Sequence, residues 1–134
     1  ISDTNAVKCA NLDVLPPVLV LQFNRFTFDF YKGTAIKIEA DVTYPIELHL
    51  SSRYFTSDLK IKLGDKQPNY SLCAVVMHHG NHATGGHYTM YARNNVGPLT
   101  WRRIDDTSVA SVSQEEVLSA KKSAYLLFYC KIPV

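Results

Sequence analysis

The sequence predicts an α+β fold dominated by an antiparallel β-sheet, with one short helix near residues 114–120. Three observations lead to this fold class. The chain has 134 residues, 46% of them hydrophobic and 11% aromatic, which is enough to fill one core but not two. Apolar residues recur along much of the chain with the two-residue period of β-strands. Ser113 precedes Glu116 with the S-x-x-E spacing of a helix-capping box.

Proline, glycine and charged residues set the order of elements in the first half of the chain. Pro16-Pro17 marks the start of a long apolar run, and Gly33 lets the chain reverse direction after it. Many charged residues between positions 51 and 68 indicate a solvated, irregular segment. The predicted elements are a strand over residues 17–29, a strand at 35–39, an edge element at 44–48 and the irregular segment at 51–68.

The second half has clearer strand patterns and the single predicted helix. The sequence Asn94-Asn95-Val96-Gly97 is typical of a hairpin turn, because Asn and Gly tolerate positive φ. The capping box predicts a helix that begins at about Gln114 and ends at Ser119 or Ala120. The predicted strands cover residues 70–79, 87–93, 99–105 and 123–131.

The predicted hairpin brings a histidine and an aspartate together. A turn centred on Val96 places His87, nine residues before it, opposite Asp105, nine residues after it. Opposed residues share one face of the sheet with Cβ atoms roughly 4.5–5.5 Å apart, so the carboxylate can hold an imidazole N–H. Asp106 is then expected on the other face, and a one-residue slip would exchange the two aspartates.

A histidine held by a carboxylate can serve as a general base, since the carboxylate fixes the tautomer that accepts a proton from a nucleophile. The alternative is a structural pair in which the two side chains only satisfy each other at a sheet end. Gly85-Gly86 directly before His87 favours the base, because residues without side chains let a substrate backbone approach the imidazole.

Metal binding is a weaker interpretation of the histidines. His78, His79, His82 and His87 fall within ten residues of sequence. However, His78 and His79 are expected to face opposite sides of a strand, and no cysteine lies nearby to complete a zinc site. We therefore predict no metal and no cofactor.

Charge and cysteine content exclude several other classes of protein. The 14 basic and 12 acidic residues leave a net charge of +2, which does not indicate a nucleic-acid surface. No run approaches the roughly 20 apolar residues of a membrane helix. Cys9, Cys73 and Cys130 form no C-x-x-C pair, so free thiols in a reducing compartment, the cytosol or nucleus, are expected.

Four ordered motifs resemble a known family. They are L-P-P-V-L-V-L-Q-F-N-R-F at 15–26, Y-S-L-C-A-V-V-M-H-H-G at 70–80, G-G-H-Y-T-M-Y at 85–91, and S-A-Y-L-L-F-Y at 123–129, with W-R-R-I-D-D at 101–106 between the last two. Over roughly residues 7–131 the chain is similar to ubiquitin-specific proteases and contains their histidine box.

The resemblance implies the palm and part of the fingers of a papain-like cysteine protease that cleaves after the C-terminal glycine of ubiquitin, usually at an isopeptide bond. By this resemblance His87 is the general base, Asp105 orients it, and Asp106 is a second acidic residue near the site. The substrate-binding residues it implies, which border the channel for the ubiquitin tail, are His79, Gly85, Gly86 and Tyr88. The implied partners are ubiquitin and ubiquitinated proteins.

The nucleophile is the main departure from the family. In the family the reactive cysteine lies in an N-terminal cysteine box, and no such segment occurs in this sequence, whereas Cys9, Cys73 and Cys130 are expected to be structural. Residues 1–134 are therefore expected to be the C-terminal part of a catalytic domain that needs its N-terminal half. A non-catalytic ubiquitin-binding module is the alternative, and a plain structural β domain is a third interpretation that leaves the motifs unexplained.

Overall fold

The computed structural model describes residues 8–82, 85–94 and 100–133, and most of them belong to strands. Within these ranges, two short α-helices and a 3₁₀ helix at Ser52–Tyr54 connect the strands. The elements are β1 (Val18–Gln22), β2 (Phe26–Asp29), β3 (Thr34–Lys37), β4 (Glu47–His49), α1 (Ser57–Leu63), β5 (Asn69–His82), β6 (Gly85–Arg93), β7 (Trp101–Asp105), β8 (Ser108–Val112), α2 (Gln114–Ser119) and β9 (Ala124–Lys131).

The main sheet has seven strands in the order β1-β9-β5-β6-β7-β8, and β4 pairs with the beginning of β5. All pairings between these strands are antiparallel. Strands β2 and β3 form a separate hairpin. The predicted α+β class with a dominant antiparallel sheet is confirmed. Within the described ranges, no helix has the length and apolar character needed to cross a bilayer.

The single strand predicted over residues 17–29 is wrong, because the chain leaves the main sheet between β1 and β2. Arg25 lies in this gap and is only 3% exposed. Its guanidinium donates four hydrogen bonds of 2.6–3.0 Å to backbone carbonyls from two other parts of the chain. The accepting carbonyls belong to Ile38, Ala40, Lys121 and Ala124. Arg25 thus ties the β2–β3 hairpin to the loop before β9.

The irregular segment predicted at 51–68 contains helix α1. Thr56 caps it by accepting a hydrogen bond from the Leu59 N–H at 3.2 Å, and Gly64 ends it with a φ of 56°. Leu59 is buried against Leu15 and Phe55. The sequence signals for this helix were its N-cap residue Thr56 and its C-terminal Gly64. A helix of seven residues has too few turns to show an apolar period, so the sequence did not predict it.

Helix α2 confirms the prediction from the capping box. The Ser113 hydroxyl accepts the Glu116 N–H at 3.1 Å. The Glu116 carboxylate, however, accepts a hydrogen bond from the Tyr91 hydroxyl at 3.2 Å, and so links the helix to the sheet. Val117 is fully buried beneath the helix. Strand β8, which the sequence analysis did not predict, pairs with β7 just before α2.

Strand β5 lies in the middle of the sheet and connects the core to the site. Its first half contains Tyr70, Leu72 and Val75, all with no exposed surface. Its second half pairs with β6, and His79 lies directly opposite His87. His79 and His87 therefore lie near the ends of the two longest strands that the structure describes.

Candidate active site

The structure brings His87 and Asp105 together at this end of the sheet. His87 Nε2 donates to Asp105 Oδ1 at 2.5 Å, and the two side chains are 48% and 42% exposed. No described residue forms a hydrogen bond with the other ring nitrogen, Nδ1. An imidazole held in this way keeps its proton on Nε2 and directs a free basic lone pair on Nδ1 towards solvent.

The predicted register of the β6–β7 hairpin is wrong by two residues. The observed pairs run from Met90 opposite Ile104 to Arg93 opposite Trp101, so the hairpin is centred on position 97 rather than 96. Residues 95–97 of the predicted turn lie outside the described residues. A two-residue shift preserves the faces of both strands, so His87 reaches Asp105 diagonally rather than directly across.

Asp106 also lies near this pair, contrary to the prediction that it would point to the other face. A carboxylate oxygen of Asp106 is within 4.8 Å of both the His87 ring nitrogen and the Asp105 carboxylate. The prediction assumed strand alternation, but Asp106 follows the end of β7 in a turn, with a φ of 49°. These three groups could hold a cation, although His87 Nε2 is already engaged by Asp105.

The charge on the two aspartates acts on the histidine. The pKa of His87 is raised above its usual value, first by the hydrogen bond that its ring donates to Asp105 and then by the negative charges of Asp105 and Asp106. Desolvation opposes this shift. The imidazolium form of His87 is therefore stabilised. A general base needs this stabilisation, because it carries a proton during the reaction.

A second imidazole lies beside the first. The His79 ring centroid is 6.4 Å from that of His87, with the rings 30° from parallel. His79 Nε2 and the hydroxyl of Thr89 are hydrogen-bonded at 2.8 Å. Thr89 was not predicted as a site residue, although its place two residues after His87 puts it on the same face of β6.

The other face of the same strands holds an aromatic cluster that includes Tyr88. The Tyr88 ring centroid lies 4.8 Å from that of His78, which is only 1% exposed. Phe26 packs edge-on against His78 at 5.3 Å, and the Lys37 ammonium donates to the His78 carbonyl at 2.6 Å. Burial is the main cause that lowers the pKa of His78. His78 and His79 thus face opposite sides, which disfavours a shared metal.

The two glycines before His87 have different environments. A Cβ on Gly86 would lie 2.3 Å from His78 Nε2 and 2.5 Å from the His79 carbonyl oxygen, so no side chain fits there. A Cβ on Gly85 would meet nothing within 4 Å. Gly86 is therefore required by the packing of the protein itself, whereas Gly85 leaves a free surface next to the imidazole.

The described thiols do not approach His87. Cys73 lies six residues before His79 on β5, roughly 20 Å away along the strand. Burial raises the pKa of Cys73 to about 11, with further contributions from Cys130. Cys130 pairs with Val18 and Ser71 at the far end of the sheet. Cys9 is exposed, three residues before Leu12, which bonds to Tyr54 near α1.

A model of the ubiquitin carboxyl-terminal hydrolase family matches residues 7–129. The chain belongs to this family. Ubiquitin carboxyl-terminal hydrolase 10-B of Xenopus laevis is 42% identical over 123 residues, which are 90% of this chain and 15% of the relative. Probable ubiquitin carboxyl-terminal hydrolase 3 of Schizosaccharomyces pombe is 36% identical over 96% of this chain and 27% of the relative. The resemblance to ubiquitin-specific proteases is confirmed.

Solved structures of the family share the fold of this chain. A SAGA Ubp8/Sgf11/Sus1/Sgf73 DUB module bound to ubiquitin aldehyde contains a chain with a TM-score of 0.76 and 35% identity. This match covers 92% of our chain and 26% of that chain. A related DUB module bound to monoubiquitin has a TM-score of 0.75 and 34% identity. Our chain therefore spans about a quarter of these solved chains.

Proposed function

We propose that this chain supplies the general base and its orienting carboxylate to a deubiquitinating cysteine protease. The reaction is hydrolysis of the peptide or isopeptide bond after the C-terminal glycine of ubiquitin. The observation that carries this proposal is the 2.5 Å hydrogen bond between His87 Nε2 and Asp105 Oδ1 on an open face of the sheet. Membership of the ubiquitin carboxyl-terminal hydrolase family supports the reaction class.

In this mechanism Asp105 holds the proton on His87 Nε2, and the Nδ1 lone pair accepts the proton of a thiol. The thiolate attacks the carbonyl carbon of the terminal glycine, and the C–N bond breaks as the imidazolium returns its proton to the leaving amine. The acyl group stays on the sulfur as a thioester. The same imidazole then deprotonates a water, whose oxygen bonds to the carbonyl carbon as the C–S bond breaks and the released thiolate takes the proton back from the imidazolium. Asp106 is the second acidic group beside this pair and adds to the field that stabilises the imidazolium.

The thiol in this proposal comes from a segment other than residues 8–133. Cys73 is a poor nucleophile, because its raised pKa leaves almost no thiolate at neutral pH. Cys73 and Cys130 also lie far along the sheet from His87. The proposed partner is the N-terminal half of the same catalytic domain. The three free cysteines support a reducing location, in the cytosol or nucleus.

The glycine-rich strand end supports ubiquitin as the substrate. The tail of ubiquitin would run over Gly85 and beside the exposed Tyr88, because Gly85 offers backbone without a side chain to an extended peptide. His79 and Gly86 complete this border, Gly86 by allowing β5 and β6 to approach closely. The DUB modules solved with monoubiquitin and ubiquitin aldehyde support the same partner.

The test is turnover of a fluorogenic ubiquitin substrate by the complete enzyme. His87→Ala should lower kcat/KM by about 10²–10⁴-fold, the contribution of a general base. The matched control is His49→Ala. This variant should turn over substrate normally, because His49 is exposed on β4 at the other end of the sheet. Asp105→Asn should cost more than Asp106→Asn, because Asp105 is the one described carboxylate that bonds to the imidazole.

The same measurements separate the proposal from the alternative of a ubiquitin-binding module. A wild-type protein that binds ubiquitin in a pull-down but does not release the fluorophore would favour the binding module. Near-normal turnover by His87→Ala would contradict the assignment of the base.

A further inference from the structure

His79 and Thr89 form a hydrogen-bonded pair beside the proposed base, and the mechanism above does not use that pair. His79 lies directly across from His87 in the β5–β6 register. The Thr89 side chain anchors its ring at 2.8 Å, and Thr89 is only 8% exposed. An anchor that is buried and hydrogen-bonded holds a ring in one rotamer better than an exposed partner does.

Thr89 lies next to both members of the proposed catalytic pair, His87 and Asp105. Thr89 lies two residues after His87 on the same face of β6, and one further step of the β6–β7 register places it opposite Asp105. His79, His87, Thr89 and Asp105 border one cavity of about 300 Å³, which the buried Met77 also lines. His79, hydrogen-bonded to Thr89, thus lies beside His87 on the β5 side of this cavity.

The proposed base itself has few restraints. Its side chain is about half exposed, and the one hydrogen bond that its ring makes with the described residues goes to a carboxylate that is nearly as exposed. An imidazole in that position can reach other χ1 wells in which Nδ1 no longer faces the nucleophile. The ring of His79 lies on the β5 side of His87, with its centroid 6.4 Å from that of the His87 ring.

We propose that His79, anchored by Thr89, is a positioning residue that confines the His87 ring to the orientation in which Nε2 meets Asp105. The inference rests on the proposed function and adds a specific restraint to it. The charge state of His79 fits this role. Burial lowers the pKa of His79, the positive charges of His87 and Lys37 lower it further, and Asp105 opposes them. A neutral His79 can remain next to an imidazolium without repelling it.

The test uses Thr89→Val and Thr89→Ser in the complete enzyme. Valine has nearly the shape of threonine but removes the hydroxyl that anchors His79, whereas serine keeps it. Thr89→Val should lower kcat by about 10-fold with KM within about twofold, because a misplaced base slows chemistry and does not weaken substrate binding. Thr89→Ser should recover most of that loss.

A spectroscopic readout separates positioning from general destabilisation. In ¹⁵N-labelled enzyme, the His87 ring signals should shift or broaden in Thr89→Val but not in Thr89→Ser, at a temperature where both remain folded by circular dichroism. A Thr89→Val enzyme with kcat within twofold of wild type, or with a loss confined to KM, overturns the inference. The proposed function fails separately, namely if His87→Ala retains turnover.

Discussion

Replacing Gly86 by alanine should destabilise the fold, whereas the same change at the adjacent Gly85 should not. At Gly86 the new Cβ would lie 2.3, 2.5 and 2.9 Å from His78 Nε2, the His79 carbonyl oxygen and His78 Cε1. His78 is held between Phe26 and Tyr88, so its ring cannot move aside. Overpacking of this kind costs about 1–3 kcal/mol, and the φ of +149° adds about 1–3 kcal/mol for a residue with a side chain.

The expected loss for Gly86→Ala is therefore about 2–6 kcal/mol in the free energy of unfolding. Gly85→Ala should stay within about 0.5 kcal/mol, since its Cβ meets nothing within 4 Å. Urea unfolding of the two variants and wild type, followed by far-UV circular dichroism, measures the difference. Equal unfolding midpoints for the two variants would refute the reasoning. If the substrate backbone passes over Gly85, Gly85→Ala should be fully folded yet show a raised KM.

Three further predictions concern other parts of the chain. Arg25→Met should lower the free energy of unfolding by about 3–5 kcal/mol, because one buried and three partly buried hydrogen bonds to carbonyls lose their charged donor; a change under about 1 kcal/mol by urea unfolding would contradict this role. In an NMR titration the pKa of His87 should lie above its usual value and fall in Asp105→Asn, so the imidazole of that variant becomes protonated only at lower pH; an unchanged pKa would show that Asp105 does not hold the ring. At pH 7.4 iodoacetamide should modify the exposed Cys9 long before Cys73, of which fewer than about one thiol in a thousand is ionised, and equal labelling in a mass spectrum would disprove the burial of that thiol.

The pairing of His87 with Asp105 could be predicted because strand parity is robust. Any error of two residues in a hairpin leaves the same side chains on the same face, and both side chains are long enough to meet diagonally. The register itself could not be predicted from a turn signal of four residues, since the length of a hairpin loop depends on where strand pairing stops. The side of the sheet on which Asp106 lies was predicted wrongly for a related reason. Side chains alternate between the two faces only within a strand, and Asp106 follows the last residue of β7.

The break between β1 and β2 shows a different limit. The apolar run from Val18 to Phe28 has the composition of one continuous strand. What divides it is Arg25, whose four carbonyl partners lie 13 to 99 residues away in sequence. These hydrogen bonds of Arg25 form only in the folded chain, so local strand propensity could not predict the break between β1 and β2.

By itself, the sequence determined the antiparallel sheet, helix α2, the family and the histidine with its carboxylate, because period-two patterning, capping chemistry and ordered motifs are all local properties of the chain. Tertiary structure alone decided which glycine is indispensable, which face each histidine takes and which side chain stands beside the base. Those features depend on how closely β5, β6 and β7 approach one another, and that spacing arises only when distant segments pack together.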